Sequence, residues 1–569
     1  MGSLSSAGPA RAAITGLSQT VRRDDEFCLG CHGPTSHDKK APRLDPVTMR
    51  ESAHATVSCV SCHRDIDAVP HRLPVHEAEC ISCHSEGERQ QLVAPDGTSF
   101  FGDSRHGVAR LKGVAKLPTC SDCHGTHDVE PITDRAPIVD RCITCHTEIG
   151  AEYRASVHGK AFASGVADAP TCQTCHHEHP HGVEKRFVQP GVVATCVSCH
   201  EDPGLQQRYS LPANRLASYL GSFHGAASEL GDTRAANCAS CHGRHLILPS
   251  SDPRSTVNPA NLRHTCGACH PNASQHFAQA RIHVQPTLAD SRLLFFVKIG
   301  YQLFVLGLIS SFLGYIALDV LARLRGRMKE HSPRPEPGEW EPQFERLTLH
   351  QRLQHWTLIL SFVTLLITGL PLSSPGSAIS RRVVGFLGGM GARAVVHRTA
   401  AVVLICLVAY HVLYVIFSRR GNRELRQLIP GFRDAHDIIQ MMKFYFGLTP
   451  IRPSFGRYNY IEKFEYLAVG WGSVIMITTG ALLWAPHLSL LLVPKWVMDV
   501  ALIVHNWEAI LAFLAIIVWH MYNVHWNPSV FPMSRVWLTG KIGLHEFREN
   551  HPLEYEARRG VPVHQEAED

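Results

Sequence analysis

Nine times between residues 28 and 270 the chain sets two cysteines two residues apart and follows the second at once with a histidine. The pairs are Cys28/Cys31, Cys59/Cys62, Cys80/Cys83, Cys120/Cys123, Cys142/Cys145, Cys172/Cys175, Cys196/Cys199, Cys238/Cys241 and Cys266/Cys269; the histidines are His32, His63, His84, His124, His146, His176, His200, His242 and His270. CxxCH is the attachment signature of haem c, in which two thioethers anchor the porphyrin and the adjacent histidine ligates the iron. Zinc knuckles and disulfide frameworks also use paired cysteines, but neither requires a histidine behind every pair. Of the 19 cysteines only Cys406 lies outside the pattern; alone in an apolar run, it reads as an inert buried small residue.

A longer repeat surrounds these motifs: S-x-H-G, twelve residues, CxxCH, two residues, His. It occurs as His106, Cys120 and His127, as His158, Cys172 and His179, and as His224, Cys238 and His245. A second CxxCH follows each copy, so one repeat carries two haems, and a shortened copy starts at Ser52 and His54. An iron held on both sides stays low-spin and shuttles electrons, whereas an open site binds small molecules. His54, His106, His158 and His224, with His283 after the last motif, His127, His179 and His245, and either His71 or His76 supply nine sixth ligands for nine irons. Bis-histidine ligation throughout is therefore expected. His37, His177, His181, His264 and His276 are surplus and read as surface residues. Over residues 28 to about 285 the pattern resembles the doubled-CxxCH multihaem cytochromes, which implies loops and short helices packed around stacked haems.

The elements that must position this chemistry divide the 569 residues near residue 290. The first half is rich in Cys, His, Gly and Pro and lacks the aliphatic residues for an ordinary core. Beyond it come five apolar runs of membrane-spanning length, roughly 293–320, 355–372, 395–417, 464–485 and 500–523. The fold is expected to be mainly α: a loop-rich multihaem cytochrome c domain, one tether helix and a four-helix transmembrane bundle. The expected boundaries are 1–27, a poorly structured N-terminal segment; 28–290, the nine-haem domain; 291–325, the tether; 326–345, a linker; 346–526, the bundle; and 527–569, a tail. Residues 1–27 show no apolar signal core. Haem c is attached outside the cytoplasm, and the basic segments after the first and third spans read as cytoplasmic. This places the haem c domain in the periplasm, and linker and tail in the cytoplasm, of a multi-pass protein of the bacterial inner membrane. The formal net charge of +5, without a basic stripe bearing interleaved aromatics, excludes nucleic acid as a partner.

Histidines inside membrane helices mark function by default. His397 and His411 lie fourteen residues apart in the third span, and His505 and His520 fifteen apart in the fifth. At about 100° and 1.5 Å per residue each pair shares a helix face, roughly 21 Å apart, a spacing that suits two stacked b haems. His355, at the end of the second span, is a fifth candidate. The segments "LQHWTLILSFVTLLITGLPL", "VHRTAAVVLICLVAYHVLY", "RYNYIEKFEYLAVGWGSVIMITTGALLW" and "HNWEAILAFLAIIVWHMYNVHW" resemble the dihaem cytochrome b subunits of formate dehydrogenases and nickel-iron hydrogenases. The resemblance implies one haem b at His397 and His505 and another at His355 and His520; His411 keeps a two-helix, four-histidine scheme open. It also implies a quinone site at Asn459, Glu462 and Lys463, where the family carries Asn-x-x-Gln-Lys.

Nine haem c fused to two haem b resemble the Cbc-type inner-membrane multihaem cytochromes. The implied activity is quinol–cytochrome oxidoreduction, with electrons passing between the quinone pool, menaquinone by that resemblance, and periplasmic cytochromes or other redox proteins in anaerobic or extracellular respiration. A membrane-anchor subunit of a larger dehydrogenase or reductase, with partner subunits or as a homo-oligomer, and a terminal multihaem reductase are the rivals.

Overall fold

The computed structural model describes residues 18–37, 41–66, 71, 75–76, 78, 80–84, 106, 117–129, 135–176, 191–271, 273–278, 282–328 and 341–559. It is mainly helical, and its one sheet among the described residues has two strands. The chain forms two compact units, residues 1–211 with 238–258, and residues 212–237 with 259–569. The division does not follow the expected boundary at residue 290: the ninth CxxCH motif, Cys266–His270, belongs to the unit that holds the long helices.

In the first unit the motifs ride on short helices such as Cys120–His124, Cys172–His176 and Cys238–His242. A helix brings positions three apart onto neighbouring faces, so both cysteines can flank one porphyrin edge with the histidine beside them. Apolar packing is sparse. Among the described residues of this unit only Val139, Ala169 and Leu248 are buried hydrophobics. Two S-x-H-G segments open helices of their own: α1 (Val157–Ala163) in this unit and α2 (Phe223–Glu229) in the other.

The second unit is built on α3 (Arg292–Leu324), α4 (Leu349–Gly369), α5 (Gly389–Phe417), α7 (Tyr460–Trp484) and α8 (Lys495–Ala515), with the surface helix α6 (Phe432–Tyr445) between α5 and α7. Helix α8 continues in wider π-helical turns through Trp526. All five are long and apolar enough to cross a membrane, the spans running Arg292–Leu324, Leu349–Leu372, Gly389–Phe417, Tyr460–Trp484 and Lys495–Trp526. Side chains such as Leu306, Phe417 and Trp471 stay exposed, as lipid-facing residues must. Cys406 is also exposed on α5. The expectation of a buried cysteine is thereby corrected: the apolar run around it serves lipid, not a protein core.

The described ends of the linker and of the C-terminal tail pair with each other. Strand β1 (Gln343–Glu345) pairs antiparallel with β2 (Lys541–Gly543), with Phe344 opposite Ile542. Ile542 and Phe547 are buried at 3% and 1% exposure, and Arg346 reaches Glu554 at 2.9 Å. The two segments fold together into a cap.

Candidate functional site

In the S-x-H-G element, Ser156 and Ser222 accept from the backbone N–H of Gly159 and Gly225, capping α1 and α2. The same hydroxyls donate to the carbonyls of Tyr153 and Tyr219 at 2.6 Å. A Cβ at either glycine would run into that same tyrosine carbonyl, so only glycine fits. The phenols of Tyr153 and Tyr219 then donate to the Pro170 and Ala236 carbonyls, each two residues ahead of a CxxCH. His158 and His224 project from the first turns so fixed.

The histidines form facing pairs. Ring centroids lie 5.8 Å apart for His32 and His71, 6.0 Å for His54 and His84, and 6.0 Å for His63 and His127. They lie 6.1 Å apart for His106 and His146, 6.3 Å for His158 and His200, 6.0 Å for His176 and His245, and 6.0 Å for His224 and His270. A metal–imidazole bond of about 2.0–2.1 Å on each side, with each centroid ~1.1 Å behind its nitrogen, needs a gap of roughly 6.3 Å. The rings are therefore spaced to hold one iron between them. A rule emerges from the pairing: S-x-H faces the second CxxCH of its own repeat, and C-H-x-x-H faces the first CxxCH of the preceding repeat. Backbone bonds tie the two sorts of element together, Ala53 N–H to the Val129 carbonyl and Val157 N–H to the Ile247 carbonyl.

Burial, reinforced by the facing ring, holds His158 and His224 below the usual histidine pKa, which keeps their lone pairs available. His76 is exposed and bonded to Asp65 at 3.1 Å, so His71 is the one that faces His32. His283 shares a 2.8 Å hydrogen bond with Ser218 through Nδ1; because that hydroxyl donates to the Arg215 carbonyl, it accepts here from Nδ1–H. His179 lies outside the described residues, as do His177 and His181.

Successive motifs are also neighbours through their sulfurs: Cys28 with Cys59, Cys62 with Cys80, Cys123 with Cys142, Cys142 with Cys172, Cys175 with Cys199, and Cys196 with Cys238. Along these stretches the order of motifs in the chain is their order in space. The two sulfurs of one motif, given a single task by the sequence, are not equivalent in the structure. Cys31, Cys145 and Cys269 are exposed, whereas Cys28, Cys142 and Cys266, the first cysteines of the same motifs, are half-buried. The second cysteine stands at or just past the end of its helix, Ser18–His32, Arg135–Cys145 or Leu262–Gly267. Cys83 is exposed together with Cys80, and its sulfur takes a long contact of 3.4 Å from the Arg64 guanidinium. Cys241 differs again: it is half-buried, and its backbone carbonyl accepts from the Thr256 hydroxyl at 2.6 Å.

In the bundle, α4 packs on α5 and α7 on α8, and both pairs use one device. Thr368 and Thr479 meet Nδ1 of His397 and His505 at 2.8 and 2.9 Å. Each hydroxyl gives its one proton to its own helix, at the Thr364 or Ile475 carbonyl, so it must accept from Nδ1–H. That tautomer leaves Nε2 for a metal. Gly369 and Gly480, next in sequence, give the rings room: a Cβ at either would stand 3.3 Å from the imidazole Cε1. The two rings are electrostatic neighbours. About 20 Å along α4 from Thr368, His355 faces His520 with centroids 6.5 Å apart. His520 sits in a π-helical turn and meets Glu465 Oε2 through Nδ1 at 2.9 Å.

His411 stands apart from both pairs. Its Nδ1 is bonded to Gln354 Oε1 at 2.8 Å and its Nε2 to the Tyr466 hydroxyl at 2.9 Å, so neither nitrogen is open to a metal. Asn459 and Glu462 form the capping box that starts α7, each accepting from the other's N–H at 2.9 Å. The other Glu462 oxygen takes Arg346 at 3.1 Å, and Lys463 pairs with Asp434 at 2.8 Å. All three are engaged in starting α7 and in ion pairs around it.

Haem fits this frame on a further count. It brings carboxylates, and Arg352 and Arg393, each one turn ahead of His355 or His397, have a buried Nε without a hydrogen-bond partner. The pair of the ninth motif, His224/His270, is built onto the bundle: Ala227 and Leu230, on the helix of His224, pack with Val384, Met390 and Leu372. Leu372 lies one turn beyond the Thr368 that holds His397.

The family model described as "Prokaryotic cytochrome b561" matches twice, over residues 279–431 and 346–532. The one described as "Cytochrome c3" matches residues 114–201. The chain is also similar to the cytochrome b556 subunit of formate dehydrogenase from Haemophilus influenzae, at 23% identity over 206 residues, 36% of this chain and 79% of that protein.

Proposed function

We propose that this chain, a multihaem cytochrome c region fused to a cytochrome b domain in a multi-pass membrane protein, carries electrons between the quinone pool and periplasmic redox proteins through two haem b and nine haem c. When bound, haem supplies a reversible one-electron iron couple. The single observation that carries the reading is the junction just described, which sets the His224/His270 pair at the end of the bundle that bears His397 and His505.

The residues have separate tasks. His355 with His520 and His397 with His505 would ligate the two haem b, and Arg352 and Arg393 would neutralise their carboxylates. The facing pairs would ligate haem c, and the pairing rule assigns His179 to the iron of His124. Thioethers would form at both cysteines of every motif, Cys241 included, and at the exposed Cys31, Cys83, Cys145 and Cys269 the porphyrin itself would supply the cover that the polypeptide does not. Quinone chemistry belongs at the His355/His520 end. Oxidation of a hydroquinone there gives two electrons, taken up singly by iron, and two protons, which need acceptors at the membrane surface. The Lys463/Asp434 pair and Glu462 stand where α7 enters the bundle and can pass them on. The proposed orientation puts this end on the cytoplasmic side of the inner membrane and the haem c region in the periplasm.

Purified full-length protein should give a pyridine haemochrome with a c-to-b ratio near nine to two, and its haems should be reduced by a menaquinol analogue. Absence of haem b, or no reduction by the quinol, would overturn the reading. The similarity to a subunit of formate dehydrogenase favours a second reading, electron transfer within a larger complex; co-purification with a catalytic subunit would support it.

A further inference from the structure

The two histidine pairs of the bundle differ in what holds Nδ1. His397 and His505 donate to neutral threonine hydroxyls, whereas His520 faces the Glu465 carboxylate at 2.9 Å. Oε1 of Glu465 is buried without a hydrogen-bond partner, so this ring is what the carboxylate serves. Nδ1 of His355, across the site, is buried without any acceptor.

We infer that Glu465 sets the reduction potential of the His355/His520 site below that of the His397/His505 site, so that electrons run downhill from the quinone end toward the haem c region. The inference rests on the haem b reading above. An imidazole that donates Nδ1–H to a carboxylate gains anionic character and becomes a stronger donor to its metal. A more electron-rich axial ligand favours the ferric over the ferrous state. A hydroxyl acceptor, neutral and itself donating to a helix carbonyl, polarises the ring far less.

Arginines stand beside both sites. Arg352 stands one turn ahead of His355 and offsets Glu465 in net charge. At the other site Arg393 is buried at 5% exposure one turn ahead of His397, and Arg398 adjoins that histidine. At the same end Glu508 on α8 accepts from the Tyr301 hydroxyl at 2.6 Å, and Glu229 lies against Gly376 in the turn after Leu372. Positive charge favours the reduced iron, so the two arginines beside His397, against one beside His355, act in the same direction as the ligand bonds.

Glu465 is thus a positioning residue that acts through His520, and a midpoint potential reads its action directly. Optical redox titration of the full-length holoprotein in detergent should resolve two b components. Glu465→Gln keeps an acceptor but removes the charge, and should raise only the lower component, by about tenfold in the reduction equilibrium, or roughly 59 mV for a one-electron couple. Thr479→Val should move only the upper component, by less. If both b components keep their potentials in Glu465→Gln, or the component that moves is the one Thr479→Val also moves, the inference is overturned. Should Glu465→Gln lose haem, low-temperature electron paramagnetic resonance of the oxidised wild type decides: two distinct low-spin b signals support the inference, and two identical ones overturn it. A preparation without haem b overturns the functional reading instead.

Discussion

The first compact unit and the membrane bundle both face histidines across a gap about the size of an iron, yet they hold them by opposite means. In the first unit the described residues bury three hydrophobic side chains, far too little apolar surface to offset the ordering of a chain this long. The rings are aimed by backbone: a serine cap, a glycine against a carbonyl and a tyrosine tied to the start of the next motif. In the bundle the helices come first. Apolar spans fold without any cofactor, and side chains on neighbouring helices then fix each tautomer. Haem is the core of one region and a guest in the other.

The harshest way to break this comparison is to produce the chain in cells that cannot attach haem c. Limited proteolysis should then degrade residues 28–211 and 238–258, while the spans of α4, α5, α7 and α8 persist as a protected membrane fragment that still takes up haem b. A protected first unit without haem would show that its few buried side chains suffice. Loss of the bundle as well would show that the two regions do not fold separately.

A milder test compares the glycines beside the ligands. At Gly159 the obstacle is a backbone carbonyl that cannot swing away, and Gly159→Ala should cost about 1–3 kcal/mol, as overpacked sites do. It should also disturb the low-spin signal of the haem held by His200. At Gly480 the obstacle is the edge of an imidazole 3.3 Å away, which can tilt. Gly480→Ala should leave thermal unfolding nearly unchanged and shift one b-haem absorption band. Equal destabilisation at both positions would erase the distinction between backbone-aimed and packing-aimed ligands.

Much of this was legible because the chemistry is local in sequence. CxxCH fixes a haem within five residues, and five apolar runs give five spans. What was not legible depends on neighbours distant in the chain. Nothing in the spacing separates His71 from His76; Asp65 and His32 do. His355 and His411 are likewise told apart by Gln354 and Tyr466, which occupy both nitrogens of His411. The motif alone also hides that Cys145 stands exposed while Cys142, one turn earlier, lies among the sulfurs of two other motifs. The start of α7 carries a readable signal. Asn459 followed three residues later by Glu462 is a capping-box pattern, and the carboxylate that meets a ligand histidine is Glu465, one turn further on. The tail looked like an appendage because β1 and β2, each three residues long, are too short to stand out from their surroundings.

That tail supplies the smallest effect and a third way of holding structure, by charge. Burial alone would raise the pKa of Glu554, but Arg346, Arg457 and Arg558 together pull it below the usual carboxylate value. A carboxyl group whose pKa is depressed by folding contributes stability above its unfolded value and loses that contribution as pH falls through the folded one. Acidification from neutral to below about pH 4 should therefore loosen residues 541–558 from β1 while the bundle, whose long helices are mainly apolar, stays intact. Hydrogen exchange across β1 and β2 would record it, and Glu554→Gln should reproduce the loosening at pH 7, by about 1 kcal/mol, or roughly fivefold in the open fraction. If exchange in the tail is the same at both pH values and in the variant, the buried pair of Ile542 and Phe547 holds the cap by itself, and the contrast between the regions narrows to haem against apolar packing.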